Sequence, residues 1–443
     1  MQRKPPLRKP EGPHQKNNCN SISSQINNNR LIDHLFRHES GKMVSVLTKI
    51  FGLTNIEIAE DIVQDTLLKA MEQWKLNGVP ENPSGWLMTV AKNKTLDLLR
   101  HKKLEKKYAE KITPLLQSEY TLGYTLNSYF SDDEIKDDQL RMMFVCCHPE
   151  INEESSIALI LKNLCGFSIG EIARGFLSNE ANINKRLYRA KEKFRTEEIK
   201  FEIPTSTEIN KRINSVLKAL YLLFNEAYSS TSVDNLIRED LAAESLRLCL
   251  LLTQHPTGNI PSVHALLALM YFHGARFRSR IDAAGNILLL NKQDRLLWDE
   301  DMIKEGIHEL NLASTGNELS AFHIEACIAY EHCSAGSYDE TNWKNILGYY
   351  DLLYTFSPSP VIALNRAIII AEISGPDDAL LEISKIKESS AMKNYYLLPA
   401  TIADLLLRKN EKGEARKYFE EAMALTNSPA EKKFLATRIH DCR

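Results

Sequence analysis

Hydrophobic positions recur with the period of an α-helix along most of the chain, and most clearly between Phe167 and Arg195. In the first half of this segment, one apolar face is formed by Ile169, Ile172, Ala173 and Phe176. The period breaks at Leu177-Ser178-Asn179, where small polar residues favour a turn followed by a helix N-cap. A second apolar face then follows, made of Ile183, Leu187, Ala190 and Phe194. The segment therefore predicts two helices joined by a tight turn.

The outward face of the second predicted helix is basic and rich in amides. Between Glu180 and Arg195, six basic and two acidic residues give a local charge of +4. The residues on this face include Asn182, Lys185, Arg186, Arg189 and Lys193. Because Lys and Arg neutralise phosphates, and Asn and Arg contact base edges in the major groove, the face predicts binding to duplex DNA. The alternative interpretation is a solvated amphipathic helix without a partner.

A second charged helix is predicted upstream, over the sequence IEIAEDIVQDTLLKAMEQW at residues 56–74. Its inward-facing residues are Ile58, Ile62, Val63, Thr66, Leu67 and Ala70. The first half of its outward face is acidic as far as Asp65. Acidic side chains in a first turn are favoured by the helix dipole, but Asp65 lies beyond that turn. We therefore interpret Asp61, Gln64 and Asp65 as a surface for a basic partner helix.

A third helix is predicted over residues 86–107, WLMTVAKNKTLDLLRHKKLEKK. Between Lys92 and Lys107, seven basic and two acidic residues give a local charge of +5. The candidate site residues are Trp86, Lys92, Asn93, Lys94, Asp97 and Arg100. An aromatic ring and basic side chains on one surface suit unstacked single-stranded bases as well as a duplex backbone. A solvated run of charges is the alternative interpretation.

Four motifs, in this order and at this separation, resemble an extracytoplasmic-function (ECF) sigma factor of bacterial RNA polymerase over about residues 30–200. They are IAEDIVQDTLLKA, NPSGWLMTVAKNKTLDLLR, LRMMFVCCHPEI and FSIGEIARGFLSNEANINKRLYRAKEKF. The resemblance implies that the Asp61–Asp65 helix binds the β′ clamp helices of core polymerase, with the β flap as a further contact. It also implies that Trp86 to Arg100 opens and reads the −10 promoter element, and that Asn182 to Lys193 reads the −35 element.

The recognition residues themselves limit this resemblance. Asn182, Asn184 and Lys185 are an idiosyncratic set, so the promoter sequence of relatives does not carry over to this chain.

The remainder of the chain predicts further helices and no strands. A repeat is visible in two segments, VIALNRAIIIAEISGPDDALLEISKI and LLPATIADLLLRKNEKGEARKYFEEAMAL, which align with Ala379 on Ala415. Their offset of 36 residues is close to the roughly 34-residue period of tetratricopeptide (TPR) repeats. This extension resembles the TPR-like extension of one ECF subgroup. We therefore predict an all-α fold with these parts: a disordered tail at 1–29, a sigma-2 domain at 30–107, a linker at 108–138, a sigma-4 helix-turn-helix domain at 139–200, and a TPR-like regulatory domain at 210–443.

The composition predicts a cytoplasmic protein. The net charge is only −3, so affinity for nucleic acid has to come from local patches. No apolar run is long enough for a membrane span, and the N-terminus lacks the apolar core of a signal peptide. We expect no cofactor and no enzymatic activity, because nucleophile-elbow, P-loop and dinucleotide-binding sequences are all missing.

Two groups of cysteine and histidine raise the question of a metal site. They are Cys146-Cys147-His148 and the set His323, Cys327, His332 and Cys333. Neither group has the spacing of a standard zinc site, and both lie in apolar helical runs. We interpret these cysteines as buried and structural, in a reducing compartment.

A polar segment in the C-terminal half, ARFRSRIDAAGNILLLNKQDR, is compatible with a ligand or catalytic site. Its candidate residues are His273, Arg276, Arg278, Arg280, Asp282 and Asp294. The alternative interpretation is a network of ion pairs that joins helices.

Two other functions compete with that of a sigma factor. A helix-turn-helix activator with a TPR-like sensor would bind DNA without replacing the sigma factor of the polymerase. Such an activator has no need of the acidic Asp61–Asp65 helix or of a second basic helix with Trp86. A TPR scaffold with a decayed DNA domain would be expected to lose its basic faces, which are intact.

Overall fold

The computed structural model describes residues 17–102, 126–176, 178–197, 199–204, 206–228, 239–282 and 285–442. Regular structure in these ranges is helical, apart from an isolated antiparallel bridge between Ile281 and Ile287. The prediction of an all-α fold is confirmed. No helix within the described ranges is both long and apolar enough to cross a bilayer. The chain divides into two compact units, and the division falls between Ile135 and Lys136.

The first unit contains three long helices within its described residues and also includes Asn163–Phe167. They are α1 (Asn17–Phe51), α2 (Ile56–Asn77) and α3 (Pro83–Lys102). Gly52 separates α1 from α2 with a φ of 82°, a left-handed conformation that suits glycine at a helix C-terminus. The core between the helices consists of fully buried side chains, among them Met43, Leu47, Ile56, Ala59, Ala70, Leu87, Ala91 and Leu99. The unit is therefore a small bundle that presents α2 and α3 side by side.

The helices extend further than the sequence predicted at two places. Residues 17–29 of the predicted disordered tail lie in α1, because adding a residue to an existing helix gains a hydrogen bond without a new nucleus; residues 1–16 lie outside the described residues. The predicted linker 108–138 ends in helix α4 (Asp132–Cys146). Its acidic first turn, Asp132 to Glu134, is stabilised by the helix dipole. Residues 108–125 of that segment lie outside the described ranges.

The second unit begins with the rest of α4 and continues with three short helices. These are α5 (Glu153–Asn163), α6 (Ile169–Gly175) and α7 (Glu180–Thr196). Helix α6 starts with a reciprocal cap: the Ser168 backbone N–H donates to Glu171, and the Glu171 backbone N–H donates to the Ser168 hydroxyl. Helices α6 and α7 pack against each other, and residues 176–179 connect them.

The C-terminal helices of the second unit are α8 (Ser206–Tyr228), α9 (Glu239–Thr253), α10 (Pro261–Ala275), α11 (Glu300–Ala313), α12 (Ala321–Ser334), α13 (Trp343–Phe356), α14 (Pro360–Ser374), α15 (Pro376–Ser384), α16 (Leu397–Arg408), α17 (Lys412–Leu425) and α18 (Pro429–Asp441). Nearly every residue of α10 is buried, which is typical of a central helix that neighbours cover on all sides. Helices α9, α11 and α12 all pack on it.

The two segments that align in sequence form two successive helix pairs, α14 with α15 and α16 with α17. Ala379 and Ala415, the residues placed on one another by the alignment, are both completely buried. Both belong to one hydrophobic cluster that extends to Leu435 in α18. Small side chains at these two positions allow the paired helices to approach closely.

Candidate nucleic-acid interface

Helix α7 is built as its sequence pattern predicts. Asn179 is the N-cap, and its side chain accepts a hydrogen bond of 2.8 Å from the backbone N–H of Asn182. The predicted inward residues Ile183, Leu187, Ala190 and Phe194 are all buried. Because these four residues fix the rotation of the helix, its basic residues are turned away from the core.

The structure divides the five outward residues of α7 into two groups. Asn182, Lys185 and Arg189 are exposed. Arg186 is half-buried: one of its guanidinium nitrogens lies 2.8 Å from a carboxylate oxygen of Glu154, and the guanidinium lies over the ring of Phe176 at 5.5 Å. Among the described residues, Asn182, Lys185 and Arg189 have no charged side chain in contact with them, so their polar atoms face the solvent.

Lys193, near the end of α7, is also close to carboxylates. Its ammonium lies 3.1 Å from Glu197 and 3.8 Å from Glu150. Glu150 precedes α5 and Glu154 lies in its first turn. Two of the basic residues that the sequence assigned to DNA, Arg186 and Lys193, are therefore paired with glutamates. Sequence reasoning missed this pairing, although the run EINEE, which leads into the first turn of α5, is a visible acidic signal.

The acidic residues predicted on α2 are accessible. Asp61, Gln64 and Asp65 are all exposed. Two large apolar side chains that the sequence analysis did not single out, Leu68 and Met71, are 57% and 60% exposed. Residues three and four apart are neighbours on a helix, so these side chains continue the same face. The surface of α2 is therefore acidic at one end and apolar at the other.

The candidate residues on α3 make contacts within the first unit. Trp86 is half-buried and packs edge-on against Trp74, with ring centroids 5.5 Å apart. Trp74 packs in turn against Phe36 at 5.3 Å. The Lys92 ammonium donates a hydrogen bond of 2.9 Å to the side chain of Asn127. The ring of Trp86 is thus held in an aromatic cluster as well as being partly accessible.

Lys94 connects two surfaces that the sequence analysis treated as separate. Its ammonium lies 3.1 Å from a carboxylate oxygen of Asp65 on α2. Asn93 is exposed, and Asp97 lies 3.7 Å from Arg100 one turn later. The predicted polymerase-binding and −10-binding residues therefore share one ion pair.

The residues considered for metal binding have structural contacts instead. Cys146 and Cys147 are buried thiols, and burial raises the pKa of Cys147 to about 12. His323 helps to cap α12, since its Nδ1 lies 2.8 Å from the Ser320 hydroxyl, and its Nε2 lies 3.2 Å from the Ala313 carbonyl oxygen. Within the described residues, no group of three or more His, Cys, Asp or Glu side chains is arranged to hold a metal ion.

The polar segment after α10 is only partly brought together. Arg276 is buried while Arg278 is exposed. Asp282 accepts hydrogen bonds from the backbone and the side chain of Asn286, and Asp294 caps a short helical turn. Two residues that the sequence analysis did not name, Arg295 and Trp298, join Arg276 there.

Comparison with known proteins gives matches over both halves of the chain. The family model for sigma-70 region 2 matches residues 35–105, and a family of unknown function, DUF6596, matches residues 212–314. An uncharacterized protein of Rhizobium meliloti (strain 1021), R00370, is 32% identical over 388 residues, which are 87% of this chain and 90% of that protein. No solved structure matches the chain.

Proposed function

The chain belongs to the same family as the Rhizobium meliloti protein and has the region 2 of a sigma-70 factor, and from this premise we propose that it is a sigma factor of the ECF type. Region 2 supports a role in transcription initiation with core RNA polymerase and promoter DNA as partners. In the proposal, the protein directs core polymerase to specific promoters in the cytoplasm, and its C-terminal helices form a TPR-like regulatory extension.

The exposed face of α2 is the observation that carries the proposal. It combines the carboxylates of Asp61 and Asp65 with the apolar side chains of Leu68 and Met71. A surface of this kind fits a partner helix that has both basic and apolar residues, because charge complementarity orients the partner and apolar burial supplies affinity. We propose that the partner is the pair of clamp helices of the polymerase β′ subunit, with the β flap as a second contact elsewhere. A DNA-binding activator would have no need of this face.

The proposed contacts with promoter DNA use two surfaces. On α7, the exposed Asn182, Lys185 and Arg189 would read the −35 element in the major groove, with Arg186 and Lys193 at its edge. On α3, the partly accessible ring of Trp86 and the side chains from Lys92 to Arg100 would bind the opened −10 strand. The α6–α7 pair, connected by residues 176–179, has the helix order and short connection of a helix-turn-helix.

The proposed regulation by the extension is supported by two adjacent carboxylates of α5. Glu154 pairs with Arg186 of the DNA-binding helix α7, and Glu153 lies 2.6 Å from the ammonium of Lys218 on α8. A displacement of α8 therefore acts on the first turn of α5, and through it on a residue proposed to bind DNA. Arg186 is half-buried while Glu153, Glu154 and Lys218 are more accessible, so each pair is weak by itself and the coupling free energy that it transmits is small.

Run-off transcription with purified core polymerase tests the sigma factor function. The full-length protein should support specific initiation that core polymerase alone does not, and Asp61→Lys/Asp65→Lys should abolish it. Binding to promoter DNA in the absence of core, together with activation of a holoenzyme that already has another sigma factor, would instead establish an activator.

Because α5, α7 and the extension belong to one compact unit, regulation is tested with a point variant rather than a truncation. Lys218→Glu places two negative charges next to each other and should change the yield of promoter-dependent transcript. Lys432→Glu, which reverses an exposed charge in α18, should not. Equal yields from both variants and the wild type would contradict a regulatory role for this connection.

A further inference from the structure

Arg276, the residue that follows α10, is a buried arginine that has no counter-charge among the residues that the structure describes. The residue is only 7% exposed. Within the described residues its guanidinium makes neither a hydrogen bond nor an ion pair, and its Nε atom is fully enclosed without a partner. An unpaired guanidinium in the interior is unfavourable, because the charge loses its hydration and gains nothing in return. A native protein is therefore expected to supply an anion at this position.

The surroundings of Arg276 add positive charge. Its guanidinium lies 5.4 Å from the ring centroid of Trp298, and the guanidinium of Arg295 lies over the same ring at 4.5 Å. Arg295 donates its hydrogen bonds to the neutral carbonyls of His332 and Ala335, at 2.7 and 2.6 Å. Burial, followed by the charge of Arg276, lowers the pKa of Arg295, and Cys333 and Glu340 oppose this only in part. Two like charges therefore share one aromatic ring.

The nearby carboxylates of the segment are engaged elsewhere. Asp294 accepts from the backbone N–H of Leu296 at 3.0 Å, and Asp299 accepts from those of Asp301 and Met302 at the start of α11. Asp282 accepts from Asn286. None of them is paired with Arg276 in the contacts of the described residues.

Two histidines near the arginines remain neutral. Burial, together with the charge of Arg276, lowers the pKa of both His273 and His332 to about 3. The Nδ1 atom of His332 is enclosed and has no hydrogen-bond partner among the described residues. A neutral imidazole can donate an N–H to an anion, so His332 offers a second unsatisfied polar atom next to Arg276.

The ring and the backbone at this place are held in position. The Trp298 indole N–H donates a 2.8 Å hydrogen bond to the hydroxyl of Ser279, which is itself buried. That hydroxyl lies 2.9 Å from the carbonyl oxygen of Arg276 and 3.2 Å from the side chain of Gln293. The site is therefore organised before any ligand binds, which lowers the cost of binding.

We propose that Arg276, Arg295, Trp298, His273 and His332 form an oxyanion site that binds the phosphate or carboxylate group of a small molecule. The planar guanidinium of Arg276 has the forked donors that match both groups. A small ligand fits the burial of Arg276, because a residue that is 7% exposed is out of reach of a macromolecular surface. Bound there, the anion neutralises the two arginines and links α10, which ends at the site, to the segment before α11.

Titration of the full-length protein with inorganic phosphate in one arm, and with acetate in the other, tests the proposal. Ionic strength is held constant with chloride, and both tryptophan fluorescence and the melting temperature are recorded. At least one anion should give a saturable fluorescence change and, at about one hundred times its Kd, raise the melting temperature by about 5 °C. A response in one arm alone identifies the group as phosphate or carboxylate.

Arg276→Met removes the charge and keeps the length of the side chain, whereas Arg278→Met makes the same change at an exposed neighbour. Arg276→Met should weaken binding by about tenfold to a hundredfold, and Arg278→Met should bind as the wild type does. Arg276→Lys keeps the charge but loses the fork, so its affinity should lie in between. In chloride, Arg276→Met should melt no lower than the wild type, because it buries no unpaired charge.

Three results would overturn the site. They are a wild type without a saturable response in either arm, equal responses of Arg276→Met and Arg278→Met, and a melting temperature of Arg276→Met in chloride well below that of the wild type. The last result would show that the protein itself satisfies Arg276.

Discussion

A guanidinium nitrogen of Arg186 lies 2.8 Å from a carboxylate oxygen of Glu154, so a cation on the basic face of α7 is already paired with an acid of the same unit. The Glu154 side chain is 67% exposed, and exposed ion pairs contribute about 0–1 kcal/mol. In the proposed complex, a DNA phosphate would compete with Glu154 for Arg186 at little cost. The pair would then weaken the proposed DNA binding slightly without preventing it.

Glu154→Gln should raise the affinity for promoter DNA by about two- to fivefold at low salt, because it removes that competition, and the gain should shrink as salt screens the pair. Fluorescence anisotropy with a duplex selected in vitro for the full-length protein measures this. Glu192→Gln is the matched control, since it removes the same charge from α7 itself, where Glu192 pairs with Arg195. Equal gains in affinity from both variants would mean that the loss of a negative charge, and not the pair with Arg186, causes the gain.

Arg189 is exposed on the predicted −35 face, and its side chain has no charged neighbour in the contacts of the described residues. Arg189→Ala should cost about 1–3 kcal/mol of binding if the residue reads a base edge, or reduce the slope of affinity against salt by about one if it binds a phosphate. Anisotropy over a range of salt concentrations separates the two cases. Lys200→Ala, an exposed cation outside α7, should change neither quantity; wild-type behaviour of Arg189→Ala would mean that this face is merely solvated.

The double variant Asp61→Lys/Asp65→Lys should lose association with core polymerase while it stays folded, because both side chains are exposed on α2. Co-purification with core enzyme and circular dichroism measure the two properties. Glu81→Lys, which reverses a charge in the connection between α2 and α3, is the control.

The ion pair between Asp65 and Lys94 calls for one more variant. Asp65→Lys/Lys94→Asp keeps an ion pair at that place but reverses the charge that α2 presents. If core binding depends on the charge of α2, the exchange does not restore it; full recovery would mean that Asp65 acts only by holding α3.

Leu68 and Met71 are the apolar part of the same face. Leu68→Ala/Met71→Ala should weaken core binding by about tenfold or more, since each side chain gives up roughly 1.5 kcal/mol or more of interfacial burial. The free energy of unfolding should change by only about 0.5 kcal/mol, because exposed side chains contribute little to the core. Equilibrium binding to core enzyme and urea denaturation measure the two. Leu289→Ala, an exposed leucine in the second unit, should leave both unchanged.

The sequence by itself determined the helices and their inward faces. Ile183, Leu187, Ala190 and Phe194 are buried as predicted, and so are Ile62, Val63, Thr66 and Ala70, whereas Ile58 and Leu67 are half-buried. This works because helical periodicity is local: residues three or four apart share a face whatever the helix packs against. Two of the four motifs, IAEDIVQDTLLKA and NPSGWLMTVAKNKTLDLLR, lie within the region 2 match at residues 35–105, so the resemblance to a sigma factor is confirmed for that part of the chain.

Tertiary structure decided which polar residues remain available. Asp65 meets Lys94, Arg186 meets Glu154 and Trp86 meets Trp74, and in each case the partners lie on different helices. Tertiary structure also decided the burial of Arg276. Its sequence position resembles that of Arg278 two residues later, yet Arg276 is buried and Arg278 is exposed. Such contacts depend on how helices distant in sequence pack together, and the period of one helix contains no information about its neighbours. The sequence therefore determined which face of each helix is apolar and which is polar. Only the packing of the helices decided which charged side chains are paired, which are exposed and which are buried without a partner among the described residues.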